Sequence, residues 1–576
     1  MKSFQNKSWH VRTDYSDEDI SFIREHIGCS FLMAKVLFNR FGSDIEEIRS
    51  FLAPSLSQLQ NPCLMKDFKK AADRILLAIE REEKICIYGD FDMDGLTATA
   101  LLYEVLLNLG AKVDTYIPDR IDEGYGIHKQ ALSRIVSNGV SLLISVDCGI
   151  KAVDEVAFLK ESQVDCIITD HHEKGVELPS AFAVLNPKLV DSDVSLRDLS
   201  CVGVAFKLAH GVLMQWKEAN HVRHEFDLRR SLDFVAMGTI ADVVPLTGEN
   251  RILVKTGLAV LNKSGRTGLQ YVMERAKIKS TLNTYHVAFL LAPRFNAAGR
   301  LGKAEEAFRL LITQDSKEAD ELSLKLDDYN EKRRKIEGQI LEEAEEKLKK
   351  RAGDRIVVIE DKNWHTGIIG IVASRLSERW KRPVLLIGSE REKRRGSGRS
   401  YGDFNLIEAL EHVGDIFESY GGHKAACGFS IKQENVRELC KRLNQYADAC
   451  SKEVFHAKLN ISSLVDDDEL NATTFEELKA LEPYGYGNTR PAFLLKGCKL
   501  TSKPRIFKEK HVSFKLSAND KILSAVWYNG YEYLKANDEL QVNTKVDVVF
   551  QLDMDNYHTP PKVSLKIEDM AFAEEK

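Results

Sequence analysis

The chain has 576 residues, and its 81 Lys and Arg against 87 Asp and Glu leave a formal net charge of −6. That length suits about three to five domains. With 44% apolar and 29% charged residues, wholesale disorder and fibrous repeats are excluded. A chain-wide basic coat is excluded too, so any nucleic-acid site must be a local groove.

No long apolar run and no export-type N-terminus are present. No membrane span is expected, and the cytoplasm is the expected location. The ten cysteines include no Cys-x-x-Cys pair, which excludes zinc-ribbon and redox motifs. They read as reduced, buried, small hydrophobes.

In chain order, residues 1–80 read as a helical extension, with apolar residues at helical spacing over 19–49 and 71–79. Residues 81–314 change texture. Apolar strands at 85–88, 142–146, 166–169 and 182–185 alternate with helices, the first running from 96 to about 109. Continuous apolar strands between helices predict a parallel α/β sheet. Residues 315–353, rich in Glu, Lys, Leu and Arg and without Pro, predict a long connecting helix with solvated faces. A second, smaller α/β domain is expected over 354–455, opening with a strand at 356–359. Over 456–576 short alternating strands, at 511–516, 523–527 and 546–550, predict a small antiparallel barrel after a linker.

The densest chemical signal is Asp90-Phe91-Asp92-Met93-Asp94-Gly95 at the end of the first strand. Three alternate carboxylates repel and call for a cation. An EF-hand calcium loop is rejected, because its twelfth position would be Leu101 and the preceding segment is a strand. A solvated acidic turn is the bland reading. Asp147 after the strand ending at Val146, and Asp170-His171-His172 after the strand ending at Thr169, argue against it. In a parallel sheet these strand ends share one edge, where ligands bind. Asp242, in the apolar run Gly238-Thr239-Ile240-Ala241-Asp242-Val243-Val244, must be paired, capped or metal-bound. An oxygen-rich set with one or two imidazoles suits Mn²⁺ or Mg²⁺. The carboxylates suffice for two ions of the kind that assist phosphodiester hydrolysis.

For a polyanionic substrate, Arg391, Lys393, Arg394, Arg395 and Arg399 around Gly396-Ser397-Gly398 suggest a Gly-rich turn that cradles phosphate. A solvated loop is the alternative. Arg294 and Arg300 flank Asn296-Ala297-Ala298-Gly299, whose small residues would admit a nucleotide; structural ion pairing is the alternative. His423, after Gly421-Gly422, is placed to contact the scissile phosphate, or else is an interface histidine. Lys496, Lys499, Lys503, Arg505, Lys508, Lys510 and Lys515 interleave with Phe507 and Phe514 and precede Trp527 and Tyr528. That pattern suits an OB-fold tracking single-stranded DNA, with about half of the aromatics in the core.

Asp90-x-Asp92-x-Asp94-Gly95, Asp147-Cys148-Gly149, Asp170-His171-His172 and Ala241-Asp242 resemble, in order and spacing, the four motifs of the DHH phosphoesterase superfamily. Gly421-Gly422-His423-Lys424-Ala425-Ala426-Cys427-Gly428 resembles the motif of its DHH-associated domain. Further segments are similar to the RecJ branch: Pro118-Asp119-Arg120-Ile121-Asp122-Glu123-Gly124-Tyr125-Gly126, Pro293-Arg294-Phe295-Asn296-Ala297-Ala298-Gly299-Arg300, Trp364-His365 with Gly367-Ile368-Ile369-Gly370, and Pro483-Tyr484-Gly485-Tyr486-Gly487-Asn488.

The resemblance implies a parallel-sheet catalytic domain, a connecting helix, a DHH-associated domain and an OB-like barrel. It implies a 5′→3′ exonuclease of single-stranded DNA that releases 5′-mononucleotides in recombination and repair. Its two ions would be Mn²⁺ or Mg²⁺, on Asp92, Asp94, Asp147, His171 and Asp242. Asp90 and His172 would be ligands or phosphate-facing groups, and Asp170 would orient an imidazole. Ser397 and Arg399 with Arg120 would bind the 5′-phosphate, and Trp364, His365, Lys508 and Lys510 would contact the strand. Single-strand-binding protein and a helicase would be partners of a monomer. The rival readings are a DHH phosphodiesterase of short oligonucleotides or cyclic dinucleotides, and a non-catalytic single-strand-binding scaffold.

Overall fold

The computed structural model describes residues 3–189, 191–222, 224–349, 351, 353–390, 393–519, 521–536, 540–555 and 561–573. Arg391, in the basic run, lies outside them. The chain divides into two compact units. One is Ala53–Arg334 with Pro483–Thr489; the other is Met1–Leu52, Lys335–Glu482 and Arg490–Lys576.

The first unit is built on a five-stranded, wholly parallel sheet. Its spatial order is Lys112–Tyr116, Lys84–Tyr88, Leu142–Val146, Asp165–Thr169, Ala183–Leu185. The central strand Leu142–Val146 is buried throughout, as its unbroken apolar run requires. The edge strand Lys112–Tyr116 was not expected from the sequence. Its charged residues at alternate positions belong to a half-exposed edge and interrupt the apolar run. One face of the sheet is covered by Met93–Asn108, Cys201–Asn220 and Leu232–Ala241, whose leucines, valines and alanines form one continuous core. Each fully buried Leu or Ile there stabilises the fold by roughly 1.5–3 kcal/mol. Because every strand runs the same way, Asp90, Asp147 and Asp170 emerge on one edge.

The second unit holds the remaining sheets. Its N-terminal segment is not helical from the start: Ser8–Val11 is a strand, paired in parallel with Lys458–Ile461. Helices Asp17–Ile27, Phe31–Phe41 and Ile45–Leu52 follow, the first opened by a Ser16 capping box. A mixed five-stranded sheet runs Phe417–Gly422, Ala426–Ile431, Lys393–Arg399, Val384–Glu390, Val357–Glu360.

The C-terminal barrel closes when Phe493–Leu500, paired with Lys545–Asp555, also pairs with His511–Ala518. It is not wholly antiparallel, since Lys521–Trp527 and Lys562–Phe572 run in parallel. Trp527 and Phe514 are buried in it, whereas Tyr528 is exposed.

The connecting helix is Ser316–Lys349, 34 residues long. It is not solvated on all sides. Ala319, Leu322, Leu326, Ile340, Ala344 and Leu348 form a buried stripe, and the buried Glu337 pairs with Arg375 at 2.7 Å. Among the described residues no helix is long and apolar enough to cross a membrane.

Candidate metal centre and strand-binding elements

The acidic motif folds as a strand-to-helix turn in the first unit. Asp92 is the N-cap of Met93–Asn108, and its Oδ1 accepts the N–H groups of Asp94 (3.0 Å) and Gly95 (3.2 Å). A Cβ on Gly95 would lie 2.7 Å from the Asp90 Cβ, so only glycine lets Asp90 fold back over the helix start. Asp94 accepts the N–H groups of Cys201 (2.7 Å) and Val202 (2.9 Å). These belong to the first turn of Cys201–Asn220, whose dipole favours a carboxylate. Nothing in the sequence pattern marked that helix start as part of the site.

Asp147 follows Leu142–Val146 in the left-handed backbone region, at φ 63°. That conformation is uncommon for a non-glycine residue and concentrates at functional sites. The Asp147 N–H reaches the Thr169 carbonyl (3.0 Å) and the Cys201 sulfur (2.9 Å). Asp170 is saturated: Oδ2 accepts from Ile150 N–H, and Oδ1 faces His171 N, His172 N and His172 Nδ1, the last at 2.8 Å. Asp242 ends the helix Leu232–Ala241, and the next residue, Val243, is also left-handed at φ 61°.

The side chains converge. His171 Nε2 lies 3.3 Å from Asp147, 3.6 Å from Asp242 and 3.9 Å from Asp94. Three overlapping groups each bring their ligand atoms within 4.8 Å of one another: Asp147, His171 and His172; Asp94, His171 and Asp242; Asp90, Asp92 and Asp147. Asp147 belongs to two of the three.

Electrostatics sort these residues into two sets. Burial, then repulsion from Asp92, pushes the carboxyl of Asp90 well up, and Asp147 and Asp242 follow for similar reasons. Asp94 is pushed up to about 7, first by burial and then by Asp92. Burial lowers His171 to about 3, leaving a neutral imidazole with a lone pair to give. Asp170 goes the other way: burial would raise it, but the hydrogen bond and charge of His172, with backbone amides, hold it below its ordinary value. His172 is raised in return, because Asp170 outweighs its burial.

Asp90 Oδ1 and Asp147 Oδ1 are buried without a hydrogen-bond partner. A buried carboxylate oxygen with no donor is costly unless a cation meets it. This donor set, oxygen-rich with neutral imidazole, fits a hard divalent ion.

Around the turn, Arg120 lies over the Phe91 ring at 4.7 Å. The Tyr125 hydroxyl is 3.2 Å from His172 Nδ1 and donates to the Asp147 carbonyl at 3.1 Å, a contact the sequence did not signal. The Asn296-Ala-Ala-Gly299 segment is a correction. It lies in the helix Ala292–Arg300, where Asn296 Oδ1 accepts Met93 N–H (2.8 Å). A Cβ on Gly299 would sit 2.2 Å from the Phe91 carbonyl oxygen. The small residues admit the acidic turn, not a nucleotide. Arg294 is ion-paired with Asp327 at 2.7 Å, and Arg300 is partly buried at the end of that helix.

In the second unit, Ser397 and Arg399 lie on the regular strand Lys393–Arg399, not on a turn. Gly396 and Gly398 serve packing there, because Cβ atoms would come 2.1 Å from the Phe429 ring and 2.6 Å from the Cys427 sulfur. Arg399 Nη1 donates to Ser397 Oγ at 3.0 Å. His423 is exposed in the turn after Phe417–Gly422.

Trp364 is a second correction. It is 1% exposed, donates to Glu343 at 2.7 Å and belongs to an apolar core, so it cannot stack on a base. His365 is the N-cap of Thr366–Trp380, its Nδ1 accepting Gly367 N–H. Lys508 and Lys510 are exposed in the hairpin between Arg505–Phe507 and His511–Ala518.

Three family models match: the N-terminal domain of the DHH family over residues 84–239, the DHHA1 domain over 339–449 and the RecJ OB domain over 461–569. The chain is 36% identical over 572 residues to the single-stranded-DNA-specific exonuclease RecJ of Bacillus subtilis, covering 98% of this chain and 71% of the relative. It is 29% identical to the RecJ of Escherichia coli, covering 87% of this chain and 90% of that one. A crystal structure of RecJ in complex with Mn²⁺ from Thermus thermophilus superposes with a TM-score of 0.84 at 30% identity, over 99% of this chain and 80% of that one. The arrangement of carboxylates and imidazoles at one sheet edge, together with these matches, places the chain in the RecJ family of single-stranded-DNA-specific exonucleases, within the DHH phosphoesterases.

Proposed function

We propose that the chain degrades single-stranded DNA from its 5′ end and releases 5′-mononucleotides. Two divalent ions, Mn²⁺ or Mg²⁺ as in the Thermus thermophilus structures, would be held by Asp90, Asp92, Asp94, Asp147, His171 and Asp242. The observation that carries the reading is the set of buried carboxylates whose unpartnered oxygens, on Asp90 and Asp147, face one another's groups.

When bound, such ions polarise the phosphodiester and lower the pKa of water. The chain's own residues do the rest. Asp147, which belongs to two of the ligand groups, would serve as a ligand in both. Asp170 fixes the His172 ring and favours its charged form, which would donate a hydrogen bond to a phosphate oxygen. In the second unit Ser397 and Arg399 would supply the hydroxyl and charge that bind a 5′-phosphate, and in the first unit Arg120 would supply charge for the strand beside the Phe91 turn. In the first unit Arg300 would neutralise phosphate near the scissile bond; in the second unit His423 would contact the scissile phosphate and His365 the strand. For Arg294 the Asp327 pair favours a positioning role in its helix. Lys508 and Lys510 would track the strand farther out. Single-strand-binding protein and a helicase are proposed partners of a cytoplasmic monomer.

The test uses a 5′-phosphorylated strand, labelled at its 3′ end or internally, incubated with Mn²⁺. Early release of mononucleotides from the internal label with late release of the 3′ label supports the reading. Persistence of the strand while a cyclic dinucleotide or short RNA is cleaved would replace it by the small-substrate reading.

A further inference from the structure

Four aromatic side chains are exposed among the described residues of the first unit: Tyr125 (52%), Tyr285 (59%), Phe289 (62%) and Tyr486 (62%). Large aromatics left in water are unfavourable and mark surfaces that are covered in use. Each of these is tied to an element that carries the metal-site carboxylates.

Tyr125 touches His172 directly. Tyr285 and Phe289 sit four residues apart, with ring centroids 5.1 Å apart and planes 32° from parallel. Phe289 lies on the π-helical turn Val287–Leu291, and such turns recur at functional sites. The chain runs directly from that turn into Ala292–Arg300, the helix whose Asn296 and Gly299 hold the Asp90–Asp94 turn.

Tyr486 comes from a segment distant in sequence, Pro483–Thr489, that belongs to this unit. Its carbonyl accepts Leu246 N–H at 2.8 Å. Gly485 and Gly487 press on Leu246 and Pro245, where added Cβ atoms would meet side chains at 2.6 and 2.9 Å. Leu246 lies four residues beyond Asp242. The same segment reaches the other pair, because Thr284 Oγ1 donates to the Tyr484 carbonyl at 2.8 Å. Between Asp242 and Pro245, Val243 is exposed and left-handed, which is rare for a β-branched residue.

We propose that Tyr285, Phe289 and Tyr486 form a stacking track for unpaired bases of the substrate strand, leading to Tyr125 at the metal centre. The occupant is a run of nucleobases, not a protein. The exposed rings are few and separate, they are flanked by the catalytic elements, and every base has a π-face to lay on them. Duplex DNA offers no such face along its length, so the track selects for single strands through stacking. This inference rests on the exonuclease reading given above.

The experiment compares the parent with Phe289→Ala and Tyr486→Ala on a long 5′-phosphorylated single strand and on the same strand carrying consecutive abasic sites. With the intact strand, each variant should raise KM about tenfold, the size of one lost base–aromatic contact, with a smaller loss in kcat. For the parent, the abasic strand should lose at least that factor, because consecutive abasic sites remove the partners of several rings, and Phe289→Ala should add nothing further on it. Unchanged thermal midpoints show that the exposed positions are not structural. If the parent degrades the intact strand and the variants match its KM, the track is wrong and the exonuclease reading stands. Equal parental KM on intact and abasic strands overturns the track in the same way. If the parent degrades neither strand, the exonuclease reading fails and the track falls with it.

Discussion

The metal-bearing edge of the parallel sheet and the strand Lys393–Arg399 of the mixed sheet handle charge in opposite ways. At the first, four carboxylates, on the buried Asp90, Asp94 and Asp147 and the half-buried Asp242, are pushed above their ordinary values. Two of their oxygens have no donor, and the backbone is left-handed at Asp147 and Val243. At the second, Arg399 and Ser397 hydrogen-bond each other on a regular strand packed by glycines. One region stores repulsion that only a cation relieves. The other holds a guanidinium that burial, not like charge, disfavours, and that an anion would meet. Substitution should therefore separate activity from stability at the first, and at the second should touch stability only at the packing glycines and not at Arg399.

The largest effect is expected from Asp147→Asn. Asparagine tolerates the left-handed backbone, so the turn should survive. Mononucleotide release should fall at least 100-fold, beyond the usual loss for a mutated supporting group. Removing one of four mutually repelling carboxylates should also raise the thermal midpoint of the chelated protein and shrink the rise produced by Mn²⁺. Differential scanning fluorimetry with and without Mn²⁺ reads this; a lower midpoint in chelator would show that Asp147 is stabilising and would break the contrast.

Asp170→Asn comes next. Asp170 meets the cluster through His172 and through three backbone N–H groups. Its loss should lower kcat by about 10–100-fold, the range for groups that orient a functional imidazole. The alkaline limb of the pH–rate profile should move to lower pH as well, because His172, needed in its protonated form, loses the partner that raises it.

Smaller effects are expected on the mixed sheet. Arg399→Ala should reduce the preference for a 5′-phosphorylated over a 5′-hydroxyl strand by about tenfold, as for one charged hydrogen bond, without moving the thermal midpoint. Gly396→Ala should do the reverse. Its Cβ meets the Phe429 ring, and overpacking of that kind destabilises by about 1–3 kcal/mol. At Gly421 nothing lies within 4 Å, so Gly421→Ala is the control.

The same contrast explains what the sequence could reveal. The sheet-edge residues were legible because a parallel strand ends at a fixed place and its next residue faces the ligand side. Asp147 and Asp170 directly follow strands Leu142–Val146 and Asp165–Thr169, and Asp90 comes one glycine after Lys84–Tyr88. The glycines at 396 and 398 misled because glycine marks both turns and close packing, and only the positions of Phe429 and Cys427 tell them apart. Asn296 and Gly299 misled in the same way, since the partners they admit are Met93 and Phe91, about two hundred residues earlier in sequence. The strands Ser8–Val11 and Lys112–Tyr116 escaped because both are short and half-exposed, without the unbroken apolar run of a central strand.

The smallest effect concerns the barrel hairpin, whose cations are exposed instead of buried. Lys508 and Glu509 adopt positive φ at its tip, and Lys510 completes the turn. An exposed lysine contributes to strand binding only by displacing counterions from a phosphate. Lys508→Asn, which suits the left-handed backbone, and Lys510→Ala should each weaken binding a few-fold at low salt. Each should also flatten the slope of log affinity against log salt by about 0.7, the single-strand value per phosphate. Neither should change kcat or the preference for a 5′-phosphate, since an exposed lysine that only displaces counterions takes no part in the chemistry. A drop in affinity with an unchanged salt slope would mean that the hairpin acts through Phe507, His511 and Tyr528, which adjoin it with ring centroids 5.2 Å apart. The barrel would then grip bases, as the first unit is proposed to do, and the division between a base-reading catalytic unit and a phosphate-tracking barrel would not hold.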